Sequence, residues 1–134
     1  MEKARQLTVG DPLEDNKQGA IVSKVHFDKI MQCIATARQE GGKLLLGGEA
    51  VKPAGRCSNG YFIQPTIIEG LNAKCKTNME EIFGPVVTLQ QFNSIEEALE
   101  LANATEYGLA ATVWSQDISK ANIIRKRIPP ADCS

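Results

Sequence analysis

Aromatic residues are scarce, at 5% of the 134-residue chain, with one Trp, two Tyr and four Phe. That scarcity argues against a stacking surface for single-stranded nucleic acid. An excess of either charge is also missing, since 15 Lys and Arg stand against 16 Asp and Glu for a formal net of −1. Without a basic footprint, neither a phosphate backbone nor an anionic lipid surface is an expected partner. No apolar run in the sequence approaches the roughly 18 residues of a membrane span. The opening Met1-Glu2-Lys3-Ala4-Arg5-Gln6 lacks the apolar stretch and small-residue cleavage site of a secretory signal. Histidine is limited to His26, and the four cysteines (Cys33, Cys57, Cys75 and Cys133) form no C-x-x-C pair. That spacing excludes the usual zinc frameworks, so no metal site is expected. With no export signal, the expectation is reduced thiols in an intracellular, cytoplasmic setting rather than a disulfide framework.

What is present is an ordinary globular composition, 43% hydrophobic and 23% charged, in one domain's worth of chain. A short helix-like start gives way to the breaker Gly10-Asp11-Pro12 and a polar loop. Phe27, Ile30, Ile34 and Ala37 then recur at helical spacing. Ser23 supplies the N-cap and Gly41-Gly42 the stop. Lys43 to Leu46 is a short apolar run between glycines, which reads as a buried strand. Tyr61 to Ile68 is rich in strand formers, with Pro65 marking an edge or bend. Val86 to Phe92 reads as a strand, Ser94-Ile95-Glu96-Glu97 as a capping box, and Leu109 to Trp114 as a second buried strand. Together these predict a β–α–β unit with parallel strands. Asp117 opens a last helix, with Ile118, Ala121 and Ile124 on its apolar side, and Pro129-Pro130 ends it. The expected class is α/β, a mostly parallel sheet with flanking helices.

One stretch stands out as a carrier of chemistry: Glu80-Glu81-Ile82-Phe83-Gly84-Pro85-Val86. It has two readings. In the first it is a solvated polar loop entering a strand, with Phe83 in the core. In the second it is a ligand-facing corner. A carboxylate only accepts hydrogen bonds, so it suits a vicinal diol such as a ribose, and an aromatic two residues away can pack on a flat ring. Gly84 and Pro85 would then fix the backbone beneath them.

Met79-Glu80-Glu81-Ile82-Phe83-Gly84-Pro85-Val86-Val87 resembles a signature of the NAD(P)-dependent aldehyde dehydrogenase superfamily. Further segments resemble it in the same order: Gly10-Asp11-Pro12-Leu13, Gly41 to Gly48, Gly60-Tyr61-Phe62-Ile63-Gln64-Pro65-Thr66, and Ala102-Asn103 with Tyr107-Gly108-Leu109-Ala110-Ala111. The resemblance implies a partial catalytic domain over residues 1–128, followed by a divergent tail over 129–134. It also implies oxidation of an aldehyde through a cysteine thiolate, with hydride passing to NAD or NADP and water releasing the acid. Cys75-Lys76-Thr77-Asn78 and Ala111 to Asp117 are similar to members acting on muconic semialdehydes.

Carried over residue by residue, the resemblance makes Glu81 a ribose-binding carboxylate, Phe83 an aromatic beside the nicotinamide, and Lys29 a lysine near the same ribose. His26 falls where some members have glutamine; its own surroundings suggest an exposed residue at a helix start. No catalytic residue is carried over, because no cysteine here lies in the family's "GQxC" context. Cys33 reads as a packed thiol, and Cys75, between Lys74 and Lys76, as one whose pKa flanking cations would lower. The expected function is thus a fragment or truncated form of an aldehyde dehydrogenase, inactive alone and binding NAD or NADP weakly. The alternative is a non-catalytic module that pairs with full-length aldehyde dehydrogenase subunits through an open sheet edge. An unstable product with no role is the third possibility.

Overall fold

The computed structural model describes residues 1–128; the ending from Pro129 to Ser134, with Cys133, lies outside the described residues. The chain divides into two compact units, Met1–Gln90 and Gln91–Ser134.

The first unit is organised around one helix. After a single turn of helix, α1 (Glu2–Arg5), comes α2 (Lys24–Gln39). The Ser23 hydroxyl accepts from the His26 amide at 3.2 Å and caps the start of α2. At the other end Gly41 takes φ +89°, its amide donates to the Arg38 carbonyl at 3.2 Å, and the Gly42 amide donates to the Ala37 carbonyl at 2.8 Å. This pair of bonds is the Schellman termination, and the left-handed residue within it is most readily a glycine. The apolar positions read from the sequence become the buried face: Ile30, Ile34 and Ala37 are essentially inaccessible.

That face packs on a three-stranded sheet of order β1 (Lys43–Leu46), β4 (Thr66–Glu69) and β5 (Val86–Leu89). Ile34 and Ile30 join Ile63 in one cluster, and Ala37 joins Ile68 and Leu71 in the next. Leu44 and Val86 border both clusters, so the two form one continuous core layer. The α/β class holds, but the sheet is mixed: β4 and β5 run parallel, with Thr66 opposite Val86, whereas β1 and β4 run antiparallel. A parallel pair needs a crossover element. Between β4 and β5 the short helix α3 (Lys76–Met79) supplies one; between β1 and β4 there are only short strands and a 3-10 turn at Gly55–Cys57. Pro65 divides the strand-forming run into β3 (Phe62–Ile63), which pairs with β2 (Ala50–Val51) in a separate antiparallel ribbon, and β4. The bend that the proline marks is therefore a change of sheet.

Two local devices fix these turns. Thr66 is fully buried; its hydroxyl accepts from the Gly48 amide at 2.9 Å and donates to the Gln64 carbonyl at 2.8 Å. Gly47 sits at φ +68°, and a Cβ there would lie 2.2 Å from the Pro65 carbonyl oxygen. At Asp11, one carboxylate oxygen accepts from the Leu13 amide at 2.9 Å. Both oxygens also receive the guanidinium of Arg56, from the 3-10 turn. The Arg56 contact, with help from that amide, lowers the Asp11 pKa from 3.8 to about 2.

In the second unit, α4 (Ile95–Ala102) begins at Ser94, whose hydroxyl accepts from the Glu97 amide at 3.1 Å. The Glu97 carboxylate reaches back to the Asn93 amide at 2.8 Å, one residue earlier than the standard capping box. Asp117 caps α5 (Ile118–Arg127) by accepting from the Ser119 and Lys120 amides. The last turn of α5 carries Arg125, Lys126 and Arg127, a favourable charge for a helix C-terminus. The two helices touch, and the Asn103 side-chain Nδ2 donates to the Arg127 carbonyl at 3.0 Å. The strand expected at Leu109 to Trp114 does not form a ladder among the described residues, and Leu109 and Trp114 are 98% and 91% exposed. Strand-forming side chains are not sufficient; a strand also needs a neighbour to take up its backbone donors and acceptors.

Two stability outcomes follow from these contacts. Gly47→Ala is expected to destabilise the chain by at least about 2 kcal/mol in denaturant unfolding, since both its φ and a backbone oxygen oppose a side chain. Asp11→Asn is expected to be less stable than the parent at neutral pH. The folded-state pKa of Asp11 is depressed, so its contribution is fully present above about 3.8 and is lost as pH falls through about 2. The gap in unfolding midpoint between parent and variant should therefore close over that interval; a gap independent of pH would contradict the assignment.

Candidate active-site corner

Beyond the single turn of α3, the segment from Cys75 to Pro85 has no regular structure of its own. It is fastened to α2 at both ends. At the C-terminal end of α2, the Glu40 carboxylate accepts from the Lys76 amide at 2.8 Å, the Thr77 amide at 3.2 Å and the Thr77 hydroxyl at 2.5 Å. The Thr77 hydroxyl is the main cause of a lowered Glu40 pKa, with the two amides adding to it against a partial burial cost. A carboxylate distant in sequence thus caps α3 and fills the role that a local side chain usually plays. Neighbouring Cys75 behaves oppositely to the sequence expectation. Burial raises its pKa, aided by the adjacent Glu40 carboxylate, and this outweighs the effect expected of Lys74 and Lys76. Cys75 is therefore not an activated thiol. Cys33 and Cys57 are half-buried and free.

Near the N-terminal end of α2, two side chains one turn apart take hold of the loop's backbone. The Lys29 ammonium donates to the Glu81 carbonyl at 2.9 Å. The His26 Nε2 lies 2.6 Å from the Phe83 carbonyl oxygen, and the His26 and Phe83 rings meet edge to face at 6.0 Å and 65°. Between and behind them, Gly84 sits against Ile30 so closely that a Cβ on Gly84 would fall 2.6 Å from Ile30 Cδ1. Ile30 is fully buried and cannot easily give way. The absence of a side chain at Gly84 is what lets the loop lie on the helix.

The result is that backbone and side chains of the loop face different tasks. The carbonyls of Glu81 and Phe83 are held by α2, while the Glu81 carboxylate takes part in no hydrogen bond or ion pair among the described residues. Phe83 is 75% exposed, so the reading that placed it in the core is wrong. It also adopts φ +55°, among the described residues the one non-glycine in that region. Such a conformation costs roughly 1–2 kcal/mol. A typical hydrogen bond contributes a net of about 0.5–1.5 kcal/mol, comparable to that cost. The two carbonyl anchors and the Gly84–Ile30 packing act together against the strain. Glu81 and Phe83 line a shallow concavity of about 360 Å³, whose wall continues through Asn78, Val87 and Thr88. The Asn78 side-chain oxygen is buried without a partner, an unused acceptor in a residue of that wall.

Lys29, Glu81 and Phe83, singled out from the sequence, are brought together by the fold. Lys29 engages the Glu81 backbone rather than standing free. His26 is half-buried rather than exposed, because it packs on Phe83, and it is the second anchor, which sequence reasoning missed. Its offset of three residues from Lys29 is the available signal, since residues three apart share a helix face. No group of three or more metal-binding side chains occurs among the described residues, and no helix there is long and apolar enough to cross a membrane.

Comparison with known proteins gives a consistent answer. The chain is 43% identical over 129 residues to aldehyde dehydrogenase family 2 member C4 of Arabidopsis thaliana, covering 96% of this chain and 25% of that protein. It is 42% identical over 123 residues to a chloroplastic betaine aldehyde dehydrogenase of Beta vulgaris, covering 91% and 24%. Among solved structures, an indole-3-acetaldehyde dehydrogenase of P. syringae, in complex with NAD+ and IAA, superposes with a TM-score of 0.89 at 33% identity. A Staphylococcus aureus betaine aldehyde dehydrogenase in complex with NAD+ gives 0.85 at 32%. In both cases the match covers 96% of this chain and 26% of the other. The chain thus spans about a quarter of the length of its relatives. The model of the aldehyde dehydrogenase family matches residues 1–132, and the chain belongs to that family.

Proposed function

We propose that the chain forms the nicotinamide-side corner of the cofactor site of an NAD(P)-dependent aldehyde dehydrogenase and is catalytically silent by itself. The observation that carries this reading is the division of labour in the loop: carbonyls 81 and 83 are held, while the Glu81 carboxylate and the Phe83 ring are free beside one concavity. An unpaired carboxylate matches the two hydroxyl donors of a ribose, and an exposed, conformationally fixed ring offers a flat apolar surface. NAD bound to the two relatives described above makes the dinucleotide the natural occupant of such a corner. When bound, it would supply the hydride acceptor; this chain's residues would only orient its nicotinamide ribose.

The corner supplies a small part of a dinucleotide's contacts. Binding must offset lost translational and rotational freedom, which one carboxylate and one ring do poorly. No cysteine in the sequence lies in a context like that of the family nucleophile. A second reading, a module that associates with full-length subunits, is favoured by β5, an edge strand with Val87 and Leu89 half-exposed. Co-expression with a full-length homologue and affinity purification tests it; a folded chain that never co-purifies would reject it.

For the main reading, the purified chain should produce no NADH from NAD with any aldehyde. Calorimetric titration should give a Kd for NAD of about 1 mM or weaker. Glu81→Gln should abolish what binding remains. Turnover, or micromolar affinity, would overturn the proposal.

A further inference from the structure

We infer that His26 is a positioning residue for this corner, one that holds Phe83 and through it the aim of Glu81; the inference rests on the nicotinamide reading above. A carbonyl oxygen only accepts, so the 2.6 Å contact between His26 Nε2 and the Phe83 carbonyl requires a proton on Nε2. The neutral ring is therefore the Nε2–H tautomer, with Nδ1 left as an acceptor. The edge-to-face contact with the Phe83 ring holds the imidazole in the same orientation.

What this bond restrains is specific. Phe83 has φ +55°, a conformation that a phenylalanine leaves when released. The other contacts support the loop around it: Lys29 engages the carbonyl two residues earlier, and Gly84 packs on Ile30. Among the described residues, His26 is the side chain that bonds the Phe83 carbonyl itself. Loss of the His26 donor should let Phe83 relax toward negative φ. That relaxation turns the ring and the attached backbone, and it moves Glu81 relative to the concavity that both line. A glutamine side chain offers an N–H donor and can replace the bond, though not the ring contact. An alanine replaces neither.

The experiment uses the full chain labelled with 15N and 13C. Long-range imidazole spectra are recorded at pH 8.5, above the ordinary histidine range of about 6.5. The backbone resonances of residues 81–84 are compared in the parent, His26→Gln and His26→Ala, and each is titrated with nicotinamide mononucleotide. The expected result is a parent ring protonated at Nε2. In His26→Ala, the Phe83 Cα and Gly84 amide resonances should leave their parent positions, and mononucleotide affinity should fall by about fivefold or more. His26→Gln should stay within about twofold of the parent. A parent ring protonated at Nδ1 overturns the inference without requiring any variant to fold. So does an alanine variant whose 81–84 resonances and affinity match the parent. A parent that shows no mononucleotide-induced shift even at about 50 mM ligand, well above the millimolar Kd expected, overturns the nicotinamide reading and the cofactor half of this inference. The tautomer and the loop resonances then decide the hold on Phe83 by themselves.

Discussion

The packing of α2 on the sheet is the constraint from which the rest of the first unit follows. Ile30, Ile34 and Ala37 lie on one stripe of the helix and exclude water from the strands beneath. Because that stripe fixes the rotation of α2 about its axis, it also fixes where every other residue of the helix points. His26 and Lys29 flank the stripe near its start, and Glu40 stands past its end. All three hold the backbone between Cys75 and Phe83. A segment whose regular structure is one turn of helix is thereby positioned by side chains of an element that has its own reasons to be rigid.

This arrangement is economical in a chemical sense. A loop that binds with its side chains must satisfy its backbone elsewhere, and water alone would leave it mobile. Here the helix takes the carbonyls at 81 and 83 and leaves the side chains of the same residues unoccupied. The strain at Phe83 is tolerated because several small interactions converge on it, and none of them is strong. Glycine at 84 is required for a different reason: it is the point of closest approach between loop and helix, and a methyl group there would strike a core residue.

The parts of this fold legible in the sequence are those whose cause is local. The caps at Ser23, Ser94 and Asp117, the Gly41-Gly42 stop, the helical stripe from Phe27 to Ala37 and the break at Pro65 each depend on a few adjacent residues. What escaped was long-range. The antiparallel placement of β1 depends on pairing across a loop, and nothing in Lys43 to Leu46 encodes the direction of its neighbour. Leu109 to Trp114 has the composition of a strand without a ladder among the described residues, which composition cannot reveal. Cys75 was read from its flanking lysines, yet burial and Glu40 decide its state. In the candidate site, the motif gave Glu81, Phe83 and Lys29, but the hold of His26 on Phe83 spans 57 positions and leaves no mark in either local segment.

The same distinction bears on how such a corner contributes to a cofactor site. Recognition of a dinucleotide is spread over two nucleosides and a pyrophosphate, so any one corner contributes a minor share of the affinity. Its larger effect is on geometry, because a ribose held in the wrong orientation leaves the nicotinamide misaimed however tightly the rest is bound. A corner of this kind gains more from stiffness than from additional contacts. Stiffness is what α2 supplies: each anchor is individually weak, but all of them originate on one helix whose position is set by a buried core. The loop therefore inherits its precision from the hydrophobic packing of Ile30, Ile34 and Ala37.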